Sequence, residues 1–184
     1  MARGREGRGA RKLGGGAVIF ASVGSMLPFD RFVRAVDEWA RDNPDQPVYI
    51  QIGEGDYEPR YAPFARVMPM TEYRERLRTC DLFVAHVGMG SMLQALEERK
   101  QMLLLPRLHA LGEHTTDHQL HTAARFGHLQ GLMIVDDVPA LHAAMSRLLV
   151  EPLATGESIS DEASPELIAG VTRFLDTARP RHRT

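Results

Sequence analysis

Two short stretches hold most of the residues that could do chemistry in this 184-residue chain. The first is His86-Val87-Gly88-Met89-Gly90-Ser91, which joins an apolar run to a segment of helical spacing. Glycines at such a turn let the backbone approach a ligand with no Cβ in the way, and the first amides of the following helix point outward unpaired. The helix dipole behind them makes that corner suited to a phosphate. The same glycines also fit a plain strand-to-helix turn. No G-x-x-x-x-G-K-[ST] loop is present, and Leu93 stands where a dinucleotide fingerprint needs a third small residue. His86 can either serve as a base or shape its loop by bonding backbone. The second stretch is "GEHTTDHQLHTA", residues 112–123. His114, His118 and His121, spaced by four and three, would share one helical face. They fit a metal site, a polar helix start, or a helix start that contacts substrate. The segment lacks H-E-x-x-H and has no evident fourth ligand, so no metal is assigned. Glu113, Asp117, His118 and Gln119 are instead the clustered donors and acceptors that sugar hydroxyls need.

The elements that must position these residues are legible from periodicity. "AVIFASV" (17–23), "PVYIQIG" (47–53), "DLFVAHVG" (81–88), "QMLLLP" (101–106) and "LMIVDD" (132–137) read as strands, with a shorter one at "FARVMP". Between them, "LPFDRFVRAVDEWARDN" puts Phe29, Phe32, Val33, Val36 and Trp39 on one helical face, with Pro28 near its first turn. "MTEYRERLRTC" starts a helix with Thr71 as the expected N-cap. "GSMLQALEER", "EHTTDHQLHTAARFGHLQG" and "VPALHAAMSRLLVEPL" read as helices too, the second ending near Gly127 or Gly131. Near-continuous apolar strands alternating with helices predict an α/β fold, a Rossmann-like doubly wound parallel sheet covered on both faces. Ligands of such sheets lie beyond the carboxyl ends of the strands. That singles out Gly24 and Ser25, Gly53 to Gly55, His86 to Ser91, and the segment 106–119.

Composition excludes some classes. Net charge is −2 at pH 7, which implies no general attraction to nucleic acid or anionic lipid. Cys80 is the single cysteine, so no intramolecular disulfide or cysteine-rich metal site is expected, and "LRTCDLFVAH" reads it as a small core residue. No apolar run approaches the ~18 residues of a spanning helix. Residues 1–16 are expected to form a disordered basic arm, residues 17–150 one domain, and residues 151–184 a polar linker with a terminal helix.

Taken together, these features resemble the carboxyl-terminal domain of family 28 glycosyltransferases, one half of the GT-B architecture. "HVGMGSMLQALEERKQMLLLP" is similar to that family's H-A-G-x-G-S/T…E-A-L…G-K-P…P signature, and "TDHQLHTA" to its N-H-Q…N-A element. "SVGSMLPFDRFVRAVDEWA" with "QIGEG" narrows the resemblance to the small donor-binding subunit of two-part UDP-sugar transferases, in particular those of bacterial exopolysaccharide or capsule assembly. The resemblance covers about residues 17 to 150.

The resemblance implies an inverting hexosyl transfer from a UDP-sugar to a polyprenyl-diphosphate-linked acceptor, with no cofactor and no metal. A membrane-associated subunit would supply the acceptor-binding half, which would recruit an otherwise cytoplasmic protein to the inner membrane face. The length fits, since a complete two-domain enzyme needs about twice as many residues. Gly88, Gly90 and Ser91 would receive the diphosphate, with Gly24 and Ser25 facing it from the first loop, and Gly53 would be a further substrate-binding residue. Gln94 would stand in for a ribose-binding carboxylate. Glu113, His114, Asp117, His118 and Gln119 would address the sugar and adjacent phosphate. No catalytic base is assigned, although His86 is a candidate. Arg99 and Gln101 depart from the family's glycine and proline of G-K-P. A UDP-sugar epimerase and a non-catalytic enhancer of a membrane transferase remain the other readings.

Overall fold

A computed structural model describes residues 17–155. Six strands, β1 (Ile19–Ser22), β2 (Val48–Gln51), β3 (Phe64–Ala65), β4 (Leu82–His86), β5 (Met102–Leu105) and β6 (Leu132–Ile134), form one sheet in the order β3-β2-β1-β4-β5-β6. Every neighbouring pair is parallel. This is the α/β, Rossmann-like doubly wound arrangement that the alternating pattern predicts. The order reverses between β1 and β4, whose last paired residues are Ser22 and Ala85. The loops after those two strands therefore part company and leave a crevice between them.

Alternation along each strand divides the core in two. Ile19, Ala21, Leu82, Val84, Leu103 and Leu105 pack with Phe32, Val36 and Trp39 of α1 (Asp30–Asp42) and with Leu141 and Met145 of α5 (Val138–Val150). Phe20, Phe83, Ala85, Met102 and Leu104 point the other way. There they meet Leu77 of α2 (Met70–Thr79), Met92 and Ala95 of α3 (Met89–Glu97), and Ala123 and Phe126 of α4 (His118–Phe126). Cys80 is buried in this second layer, and burial pushes its thiol up to about 12, so it is inert packing. Among the described residues no helix is long and apolar enough to cross a membrane. The arm expected at 1–16 and the terminal helix expected beyond 155 lie outside the described residues.

Several local expectations need correction. Helix α1 begins at Asp30 with Phe29 in the N-cap position, so Pro28 precedes the helix rather than entering its first turn. Helix α2 is preceded by Pro69, and the Thr71 side chain makes no cap bond. The helix expected from Glu113 starts only at His118, because residues His109–Leu111 form a 3-10 turn closed by Gly112 in the left-handed region. His114 therefore lies in a loop and shares no helical face with His118 and His121. The two departures from G-K-P acquire reasons. Arg99 adopts φ 52, the left-handed conformation that a glycine takes without strain. The Gln101 amide donates to the Asp81 carbonyl, and its oxygen accepts from Leu153 N at 3.0 Å, which ties the chain after α5 to the sheet.

Buried Asp37 on α1 organises the loop between β2 and β3. Its Oδ1 accepts from the amides of Tyr61 and Ala62, both at 2.9 Å, and its Oδ2 from the Arg60 amide and the Tyr57 hydroxyl, both at 2.8 Å. Burial alone would raise this carboxyl's pKa, but the three amides and the phenol outweigh it and hold the pKa below its ordinary value.

Two stability predictions follow from these contacts. Asp37→Asn, which sets an amide donor against two of those donors, should cost about 2–4 kcal/mol in urea unfolding. Because the folded pKa is depressed, the stabilisation from Asp37 is complete above the unfolded value near 3.8 and disappears as pH falls through the folded value, so the variant should show a shallower acid limb. Arg99→Gly should raise stability by about 1 kcal/mol, read as a higher thermal midpoint, by relieving the left-handed backbone.

Candidate functional site

The strand ends open into a cleft of about 510 Å³. Its lining follows the sheet order. Val67, Met68 and Met70 come from the chain after β3, and Gln51, Gly53 and Glu54 from the end of β2. Gly24, Ser25, Met26 and Leu27 follow β1, and His86, Gly88, Met89, Gly90, Ser91 and Gln94 follow β4. Arg107, His114, His118 and Gln119 follow β5, and Tyr73 completes the wall from α2. One end, by β3, is thus apolar. The middle is glycine and backbone, and the β5 end is basic and polar.

The middle is built around His86. An added methyl at Gly24 would sit 2.5 Å from His86 Cε1, and one at Gly88 would run into Nε2. The imidazole lies between these two Cα atoms, so both glycines are needed by the ring itself. Gly24 also has φ +77, which a side chain would strain. Gly90 differs, because nothing lies within 4 Å of where its Cβ would be. Helix α3 begins with Gly88 in the N-cap position and no side-chain cap, and its first backbone bond runs from Met92 N to Gly88 O. The amides of Met89, Gly90 and Ser91 therefore have no acceptor among the described residues, at the positive end of the helix dipole.

His86 is a weak base. Desolvation, helped by the nearby charge of Arg107, pushes its pKa down to about 3, and its shielded Nδ1 has no partner among the described residues. The imidazole is neutral at physiological pH and has little drive to take a proton from a sugar hydroxyl. The geometry favours the loop-shaping role for this residue.

Gln51 holds the β1 side of the cleft. Its oxygen accepts from Ser22 Oγ at 2.8 Å, and its amide donates to the Gly24 carbonyl at 3.1 Å and the Arg66 carbonyl at 2.9 Å. Ser22 Oγ in turn accepts from Gly24 N at 3.1 Å. At the far wall, Gln94 Oε1 is buried without a partner among the described residues. Tyr73 stands beside Ser22 and Ser91, its phenol pKa raised mainly by burial.

At the β5 end the expected sugar-contacting residues divide. His114, His118 and Gln119 line the cleft, with the two imidazoles edge-on at 4.2 Å. Desolvation lowers the His114 pKa, and the charges of His118, Arg107 and His109 add to the effect. Gln119 Oε1 accepts from Arg107 N at 2.9 Å, which leaves its NH₂ as a donor for the cleft. Glu113 and Asp117 are engaged elsewhere. Glu113 is held by both arms of Arg31, at 2.7 and 2.8 Å, and accepts from Leu108 N. Asp117 Oδ1 accepts from His109 N at 3.0 Å. Both carboxylates shape the loop, and neither lines the cleft. No group of three potential metal ligands converges among the described residues.

Reading the sequence missed Gln51, Tyr73 and the apolar wall at 67–70, and it placed Arg107 only within the segment 106–119, with no role of its own. This arginine is 2% exposed and faces the cleft. A charged residue directly after an apolar strand ending in proline was the available signal.

No family model matches the chain, and no curated protein matches it. Solved structures share its fold. The chain is similar to the glycotransferase of kitacinnamycin, with 22% identity and TM-score 0.54 over 96% of this chain and 43% of that one. It is similar to ALG13, with 17% identity and TM-score 0.54 over 77% of this chain and 89% of ALG13. A UDP-GlcNAc 2-epimerase from Neisseria meningitidis, solved bound to UDP-GlcNAc, matches at 11% identity and TM-score 0.53 over 75% of this chain and 37% of the enzyme. The chain thus spans less than half of the kitacinnamycin and Neisseria proteins and most of ALG13. At these identities the likeness is one of fold, that of a single GT-B half.

The two turn glycines should separate in mutation. Gly88→Ala should lower stability by about 1–3 kcal/mol through collision with His86, and pairing it with His86→Ala should give a less than additive loss. Gly90→Ala should change chemical denaturation by no more than about 1 kcal/mol, and in the stabilising direction.

Proposed function

We propose that the chain is the donor-binding half of a glycosyltransferase that takes a UDP-sugar. The observation that carries this reading is the trio of uncapped amides at Met89, Gly90 and Ser91, opening into a cleft at the reversal of strand order. Oriented amides at a helix start stabilise the negative charge that builds on a departing nucleoside diphosphate as the anomeric carbon gains oxocarbenium character. The lining supports a direction for the donor. The flat base would lie against Val67, Met68 and Met70, the ribose near Gln94, the diphosphate over Gly88 to Ser91 beside Gly24 and Ser25, and the sugar by His114, His118 and Gln119. Gly53 borders the base side.

The fuller reading adds a membrane-associated subunit that holds a polyprenyl-diphosphate-linked acceptor and carries this chain to the inner membrane face, in exopolysaccharide or capsule assembly. The match over most of ALG13 supports this part of the reading. With His86 so weakly basic, the base that activates the acceptor would lie on that partner, and transfer would proceed with inversion. No cofactor or metal enters the proposal.

Titration of the isolated chain with UDP tests the core of the reading. Amide resonances of 88–91 should shift on saturation, and Gly90→Val should weaken UDP at least tenfold with an unchanged thermal midpoint, about 1.4 kcal/mol of binding. No binding at millimolar UDP, or shifts confined to another surface, would refute it. Incubation with UDP-GlcNAc alone separates the fold's other use, since a free sugar-nucleotide isomer would mark an epimerase. An enhancer that is not itself catalytic would stimulate a partner's transfer while leaving UDP unbound.

A further inference from the structure

Arg107 carries a charge that nothing in its own surroundings neutralises. Its Nη2 donates to the carbonyls of Val23 at 2.8 Å and Leu27 at 2.6 Å, and its Nε reaches the Pro28 carbonyl at 3.4 Å. The guanidinium carbon lies 4.9 Å from the centre of the Phe29 ring. No carboxylate bonds to it among the described residues. Glu113, whose charge it feels, is held by both arms of Arg31. Its Nη1 has no acceptor among the described residues, although the residue lines the cleft. Desolvation pushes its pKa down to about 10, yet it stays charged at neutral pH. Carbonyl dipoles and a ring face compensate a buried cation only partly, and a group in that position is one an external anion would complete.

Two further facts place that anion. The carbonyls gripped by Arg107 belong to the loop that bears Gly24 and Ser25, and that loop faces the uncapped amides of α3 across the cleft. The Arg107 amide is itself fixed by the buried Gln119, so the guanidinium is aimed from a rigid base.

We propose that Arg107 is a two-handed positioning residue, in which Nη2 and Nε hold the 23–28 loop by its carbonyls while Nη1 takes an oxygen of the donor diphosphate opposite the start of α3. The diphosphate is then clasped between a formal positive charge and a helix dipole, and its arrival tightens the loop that Arg107 already grips. This rests on the donor-binding reading and adds to it the counter-charge and the coupling to the loop.

The test compares UDP with uridine, which share base and ribose and differ by the diphosphate. Calorimetric titration of the full chain at low salt is run on the wild type, Arg107→Gln and Arg107→Lys, with amide exchange of residues 23–27 followed in parallel. The wild type should prefer UDP over uridine by about thirtyfold or more, and Arg107→Gln should lose about tenfold of that preference with uridine affinity held within about twofold. UDP should slow exchange in the 23–28 loop of the wild type and not in Arg107→Gln. Arg107→Lys keeps the charge but cannot grip three carbonyls and an anion together. It should therefore retain part of the UDP preference without the loop protection, and it carries the test if the glutamine variant fails to fold. An unchanged UDP-to-uridine ratio in either variant overturns the proposal, as does a parallel loss of both ligands, which would mark a purely structural role. Failure of the donor reading looks different, because the wild type would then bind neither compound, and both ideas would fall.

Discussion

The cleft depends on one steric arrangement, the His86 imidazole lodged between the Cα atoms of Gly24 and Gly88. β1 and β4 run in parallel up to Ser22 and Ala85, and beyond that point their chains must separate. The ring occupies the space where they do. It keeps the two loops a fixed distance apart, and its presence forbids a side chain on either. Gly24 takes the left-handed turn that brings its amide onto Ser22 Oγ, and Gly88 takes the extended N-cap conformation that launches α3. The exposed amides of that helix are thus a by-product of how the histidine is housed. The surroundings also explain why the ring stays neutral, since it has little water around it and a cation nearby.

Around this wedge, charged side chains serve mainly as backbone clamps. Asp37 gathers three amides of the β2–β3 loop, and Glu113 takes the Leu108 amide while it is gripped by Arg31, which also donates to the Pro106 carbonyl. Asp37 accepts four hydrogen bonds and Glu113 three. Arg107 uses the same device in reverse, gathering carbonyls, and it does so without a carboxylate partner among the described residues while lining the cleft. That asymmetry is the difference between a clamp and a clamp that also binds.

Much of the fold could be read from the order of residues because apolar periodicity is a local signal. The unbroken runs 82–85 and 102–105, short and rich in strand formers or bounded by proline, read as strands covered on both sides, and Phe32, Val36 and Trp39 land on the buried side of α1. What misled was local chemistry overridden by tertiary packing. Thr71 has the side chain of an N-cap, but α2 starts one residue earlier after Pro69. The histidine spacing at 114–121 suggests a helical face, but Gly112 and the clamps on Glu113 and Asp117 make the first part of it a loop. The glycine turn was legible as a turn with an open helix start. That Gly88 is needed to house His86 was not, because the other glycine against the ring, Gly24, lies sixty-four residues before it. The role of Arg107 went unread for a similar reason, since its partners at Val23, Leu27 and Pro28 are distant in sequence.

Among the described residues, the sheet ends in β3 of two residues on one side and β6 of three on the other. So little free ladder at either border gives an incoming foreign strand almost no template to extend. Edge-to-edge pairing of two such sheets would accordingly gain few backbone hydrogen bonds.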